Sequence, residues 1–193
     1  GILIILGCVK SMEISKIKKA LIEQKNMNLS GNLYHKTQID FAYNTNHIEG
    51  SALTEEQTRY IYETNTLVLE DGKGQANVDD IIETANHFKL VDYMLDVADK
   101  PLTPDMIKEF HRILKTGTSD ERKSWFNVGD YKKLENEVAG NETTKPEDVD
   151  DVINKLLDQY NNLDEITFET IVKFHKVFET IHPFQDGNGR VGR

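Results

Sequence analysis

Residues 182–193 read HPFQDGNGRVGR. Gly187 and Gly189 flank Asn188, a combination that accepts unusual backbone angles and lets main chain approach a ligand closely. A helix begun near Gly187 has unpaired first N–H groups and the positive end of its dipole facing outward, which suits a phosphate. Arg190 and Arg193 are three apart on such a helix, so both can fork onto phosphate oxygens from one side. Asp186, just ahead of the glycines, is placed to hold a Mg²⁺ bridging two phosphates. His182, four residues earlier, has an ordinary pKa of about 6.5 and serves as a general base near neutrality. Pro183 ends the preceding helix and Phe184 can anchor the loop in the core.

Outward from this run the chain reads as helix after helix. Ile81, Ala85, Phe88, Val91 and Leu95 make an apolar stripe, and Met106, Ile107, Phe110, Ile113 and Leu114 make another behind a cap at Thr103 and Pro104. Val149, Val152, Ile153, Leu156, Leu157 and Tyr160 form a third, behind Thr144 to Pro146, and Phe168, Ile171, Val172, His175 and Phe178 a fourth. Weaker helical patterns cover Met12 to Lys25, Asn32 to Ile48 and Thr54 to Thr64. Only GDYKKLENEVAG, residues 129–140, reads as an extended hairpin. The fold class is therefore all-α, a helical bundle with one small β-hairpin.

The chain has 193 residues, enough for one domain with a real core. With 23 Lys and Arg against 33 Asp and Glu, its net charge is −10, which argues against nucleic acid or an anionic membrane as a partner. The single cysteine, Cys8, excludes an intrachain disulfide framework and favours a reducing, cytoplasmic setting. The apolar opening GILIILGCVKS is too short to span a bilayer and has no basic leader. Residues 1–11 read as preceding a natural start at Met12, with a single domain over 12–193.

The terminal run matches H-x-F-x-[DE]-G-N-G-R-x-x-R, and the chain thereby resembles the Fic family, meeting the pattern at His182, Phe184, Asp186, Gly187, Asn188, Gly189, Arg190 and Arg193. The resemblance implies transfer of AMP from ATP to a Ser, Thr or Tyr hydroxyl of a target protein, with diphosphate released. In that reading His182 deprotonates the hydroxyl and Asp186 holds Mg²⁺. Asn188 and the N–H groups of Gly187 and Gly189 hold the α- and β-phosphates, while Arg190 and Arg193 bind the β- and γ-phosphates. The related Doc kinases carry Lys where this chain has Gly189, which favours nucleotidyl over γ-phosphoryl transfer. The 129–140 hairpin occupies the place of the family's flap, which aligns the target by strand addition. Self-modification and a homo-oligomer are both compatible with the resemblance. Family domains continue beyond the last arginine, so the domain is expected to be cut short at its C-terminal end.

Residues 44–50 read NTNHIEG. On a helix Thr45 and Glu49 share a face and Gly50 supplies the stop. This resembles the Fic inhibition motif [ST]-x-x-x-E-[GN], met at Thr45, Glu49 and Gly50 on an expected inhibitory helix over about 32–49. The implied switch pairs Glu49 with Arg193, which competes with the γ-phosphate. Two alternatives stand beside self-inhibited AMP transfer: an enzyme that mainly removes AMP, using Glu49 to position water, and a nucleotide-binding regulatory module that seldom turns over. His175 is expected in the core, His47 and His111 at the surface, and Trp125 and Phe126 as core or hairpin support. No histidine spacing suits zinc.

Overall fold

The computed structural model describes residues 11–27, 29–69, 75–138 and 140–193, with side chains from residue 15 onward. Of residues 1–11, read as preceding a natural start at Met12, residues 1–10 lie outside the described residues. Among the described residues eight α-helices follow in order: α1 (Ser11–Met27), α2 (Leu33–Ile48), α3 (Glu55–Thr64), α4 (Val78–Val97), α5 (Pro104–Lys115), α6 (Val149–Asn161), α7 (Phe168–Ile181) and α8 (Asn188–Gly192). Between α5 and α6 lies one antiparallel hairpin, β1 (Glu137–Val138) with β2 (Asn141–Glu142), in which Glu137 faces Glu142 and Val138 faces Asn141. The all-α bundle with a small β element is thus the observed fold.

Local chemistry sets the helix starts. Asn32 accepts a hydrogen bond from the His35 N–H, and Thr103 accepts one from Met106 with Pro104 beside it at the first helical position. Thr54 and Thr167 each close a capping box with the residue three positions on. The hairpin lies later than the sequence suggested: Gly140 (φ +77°) belongs to its turn, and residues 129–136 run up to it without pairing as strands. Gly140 adopts the left-handed backbone that a tight turn requires, which explains why the glycine marks the bend and not the end.

Three apolar clusters hold the bundle. Under the terminal run, Ile107, Tyr131, Val149, Ile153, Leu157, Phe178, Ile181 and Phe184 pack together. Leu21, Tyr34, Val91 and Leu95 join α1, α2 and α4. Ala42, Leu53, Ile61 and Phe88 join α2, α3 and α4. The central helix α4 packs on both α2 and α5, so the C-terminal end of α2 and the N-terminal end of α8 are brought to the same side.

Candidate active site

Helix α7 stops because His182 takes a left-handed backbone (φ +52°) while its N–H still bonds the Phe178 carbonyl (2.9 Å). A non-glycine residue in that region is strained, and the strain is held by what surrounds it. Two residues on, Phe184 is fully buried and stacks on the His111 ring at 4.0 Å and 3°. Burying such a ring stabilises by about 2–3 kcal/mol. Asn188 then clasps the loop: its amide accepts from the Phe184 N–H (2.7 Å) and donates to the Phe184 carbonyl (2.8 Å). Gly187 (φ +80°) turns the chain into α8.

His111, expected at the surface, is completely buried beneath this loop. Its Nδ1 accepts from the Gly129 N–H (3.0 Å), so Nε2 carries the proton and donates to the Asp186 carbonyl (3.2 Å). Burial first, and then nearby Lys115, push its pKa down to about 3, so the ring stays neutral. The sequence signal was available: Ile107, His111 and Lys115 fall at four-residue steps on the inward face of α5. His175, expected in the core, is only half-buried, with its Nδ1 at 3.0 Å from the Gly192 carbonyl. His47 is exposed, as expected, and stacks on Tyr43. Phe126 is buried beside His111, whereas Trp125 is exposed.

The side chain of His182 is mostly shielded, and its Nδ1 sits 3.3 Å from the Glu179 carbonyl. A carbonyl only accepts, so Nδ1 carries the hydrogen and Nε2 keeps the lone pair. Burial lowers the His182 pKa, the Glu179 carbonyl opposes this, and Lys132 lowers it further. The ring is therefore neutral and able to take a proton at neutral pH.

Asp186 is about half exposed. Burial of part of the group works against its charge, but Lys115 and Arg190 outweigh this and hold its pKa near 2. Behind it lies a network that the sequence did not reveal. The buried Lys115 ammonium bonds Glu83, Asp120 (2.5 Å) and Asp186 (2.8 Å). Burial disfavours that charge, yet Asp186, Glu83 and Asp120 raise the pKa of Lys115 above its ordinary value. Arg190 bonds Glu83 and, at 3.2 Å, Asp186. The oxygens of Glu83, Asp120 and Asp186 lie close enough together to suit a cation, but the lysine ammonium stands among them. For a hard cation such as Mg²⁺ the fitting donor is therefore the ionised, half-exposed Asp186 carboxylate, completed by oxygens of a ligand and water.

The two arginines do not converge as the spacing suggested. Arg190 turns inward to Glu83 and Asp186. Arg193 turns to the end of α2, where its Nε bonds Thr45 Oγ1 (2.8 Å), its Nη2 bonds the Thr45 carbonyl (3.2 Å), and Nη2 also bonds Glu49. Asn188 departs likewise: its side chain is used inside the loop and does not face outward.

Thr45 is buried and Glu49 is the C-cap of α2, with Gly50 (φ +94°) following in the left-handed form. The expected helix over about 32–49 is thus Leu33–Ile48 with Asn32 and Glu49 as its caps. The Glu49 carboxylate lies directly against Gly189: a Cβ there would run into Glu49 Oε1 and come within 2.9 Å of Arg193 Nη1. An anion of this chain therefore already rests against the first turn of α8. Gly192 permits the other close approach, since a Cβ there would lie 2.7 Å from Glu179 and 2.9 Å from Phe178.

The sequence model of the Fic/DOC family matches residues 101–193. The chain is 29% identical over 156 residues to a protein adenylyltransferase Fic of Nematostella vectensis, covering 78% of this chain and 34% of that protein. It is 28% identical over 158 residues to a protein adenylyltransferase Fic of Aedes aegypti, covering 80% of this chain and 30% of that one. The chain spans about a third of the length of these curated relatives. The crystal structure of a Fic domain containing signaling protein from Bacteroides thetaiotaomicron superposes with a TM-score of 0.71 at 26% identity, covering 91% of this chain and 68% of that one.

Proposed function

Because the chain belongs to the Fic/DOC family, we propose that it is a self-inhibited protein adenylyltransferase, moving AMP from ATP to a Ser, Thr or Tyr hydroxyl of a target protein. The observation that carries this reading is the Glu49 carboxylate resting against Gly189 and bonded to Arg193, an internal anion where a phosphate would sit. His182 Nε2 takes the proton of the target hydroxyl, whose oxygen bonds to the α-phosphorus. The bond from that phosphorus to the α–β bridging oxygen breaks, and diphosphate leaves. The N–H groups at the start of α8 face the phosphates, and Asn188 acts by keeping that turn closed. Asp186 would hold Mg²⁺, which when bound supplies positive charge to the phosphate oxygens. Arg190, engaged by Glu83 and Asp186, keeps Asp186 ionised and adds positive charge from behind, while Arg193 is left for the γ-phosphate once Glu49 withdraws.

The hairpin Glu137–Glu142 is the element that would align the target, by adding a strand of it at its edge. Among the described residues no helix is long and apolar enough to cross a membrane. A cytoplasmic setting belongs to the proposal and rests on the single cysteine. Self-modification and self-association are options within the same proposal. A second reading, removal of AMP from a modified target, draws on the same placement of Glu49, whose carboxylate could position water at the reacting phosphate. The two differ in their test. Glu49→Gly should gain AMP transfer if Glu49 inhibits, and should lose release of AMP from a pre-modified target if Glu49 orients water. Adding His182→Ala should abolish transfer. Tight ATP binding with no transfer in Glu49→Gly would instead indicate a nucleotide-binding regulatory module.

A further inference from the structure

Among the described residues two lysines are buried, and they are treated in opposite ways. Lys115 is surrounded by three carboxylates and its charge is reinforced. Lys132, at 3% exposure, directs its ammonium to three neutral oxygens: Asn136 Oδ1 (2.7 Å), Thr143 Oγ1 (2.6 Å) and the Ile181 carbonyl (3.4 Å). A buried ammonium without a carboxylate is costly, and an apolar side chain of similar length would fill the space at less cost. Burial accordingly pulls its pKa down to about 8, with Glu135 opposing.

The geometry shows what the lysine does there. Its side chain bonds the carbonyl of Ile181, and its own backbone N–H bonds the carbonyl of Pro183 (2.9 Å). These are the peptide carbonyls on either side of His182, the residue whose left-handed backbone ends α7. One residue therefore brackets the strained position from both sides. The same ammonium grips both stems of the hairpin, since Asn136 immediately precedes β1 and Thr143 immediately follows β2. Asn136 adds a bond to the Phe184 carbonyl (3.0 Å), and the Leu134 N–H adds one to Gln185 Oε1 (3.2 Å). The hairpin stem and the loop of the terminal run are one hydrogen-bonded unit with Lys132 at its centre.

We propose that Lys132 is a positioning residue for His182: it fixes the left-handed backbone of the base and couples it to the hairpin that receives the target. This rests on the reading of His182 as the base. The groups that face His182 electrostatically are Glu179 on its own helix, Lys132 from the hairpin stem, Asp186 from the loop and Glu49 from the end of α2. Lys132 is the cation among them. Glu135 is the acid acting on Lys132.

The test follows the His182 ring by NMR across pH and the AMP-transfer rate separately. In the unaltered protein the His182 signal should show its own titration and a second, smaller inflection near pH 8, as Lys132 loses its proton. Lys132→Met, which keeps length and removes charge, should raise the His182 midpoint by roughly half a unit, the scale of one nearby charge through a partly solvated path. In a Glu49→Gly background it should lower kcat by about 10-fold or more while KM for ATP changes little, as expected for a misplaced base. Lys132→Arg, which keeps the charge in a different shape, should leave the His182 midpoint in place and recover part of the rate. An unmoved midpoint in Lys132→Met together with a rate within about twofold of its parent overturns the proposal. If Lys132→Met does not fold, a missing inflection near pH 8 in the unaltered protein overturns it. The titration needs no turnover, so failure of the AMP-transfer reading is seen independently of the lysine's effect on His182.

Discussion

Replacing Glu49 by Gln keeps the size of the side chain and removes the charge that Arg193 now holds. The pair is partly shielded, with side-chain exposures of 30% for Glu49 and 15% for Arg193, and it does not act alone. Arg193 is also held by the hydroxyl and the carbonyl of Thr45, so the guanidinium stays in place when Glu49 changes. A charge-assisted bond at this exposure is worth about 1–2 kcal/mol after solvent screening, and 1.4 kcal/mol is tenfold in affinity. If the carboxylate competes with the γ-phosphate for Arg193, Glu49→Gln should tighten ATP binding by roughly 5–30-fold. ADP has no γ-phosphate and should gain less than about threefold. Titration calorimetry with both nucleotides, in the presence of Mg²⁺, reads the two numbers directly. Equal gains for ATP and ADP would mean that the carboxylate opposes some other part of the nucleotide. No gain for either would remove the competition argument altogether.

Asn188→Ala leaves the Phe184 N–H and carbonyl without their partner, a loss of about 2–4 kcal/mol, so the melting temperature should fall by roughly 5–15 °C; a fall below about 2 °C would contradict the clasp. Gly192→Ala should destabilise by about 1–3 kcal/mol in chemical denaturation, because its methyl meets Glu179 and Phe178 at 2.7 and 2.9 Å. His87 and His111 are buried, neutral and depressed to about 3, so the unfolded chain binds protons first as pH falls below the ordinary value. Stability is therefore full above about pH 6.5 and is lost as pH falls towards 3, by about 1–2 kcal/mol per histidine at pH 5. Urea midpoints at pH 7 and 5 should show the loss, and His87→Leu should shrink it.

The helices were legible because their signals are local. Thr103 with Pro104, and stripes such as Phe88, Val91 and Leu95, need no knowledge of the partner surface. The terminal run was legible for the same reason, since twelve contiguous residues hold His182, Asp186 and the glycine turn. What could not be read was where the side chains turn. Three-residue spacing placed Arg190 and Arg193 together, but Glu83 on α4, to which no motif points, draws Arg190 inward, whereas the pairing of Arg193 with Glu49 on α2 is implied by the resemblance of residues 44–50 and not by the spacing. Those partners lie more than a hundred residues away in sequence. His111 was misread although its four-residue step from Ile107 marks the inward face of α5; only its partners, Gly129 and Asp186, which fold over it from later loops, left no local sign. The hairpin was misplaced because a glycine bounding a polar run serves equally as its end or its bend.

The central claim, that this site transfers a nucleotidyl group once Glu49 is removed, is tested most directly by supplying the Glu49→Gly variant with ATP labelled at either the α- or the γ-phosphorus, with a lysate or the protein itself as acceptor. Label from the α-position should become covalently attached to protein, label from the γ-position should leave as diphosphate, and His182→Ala in the same background should transfer neither. Attachment of the γ-label, or attachment of the α-label that persists without His182, would contradict it.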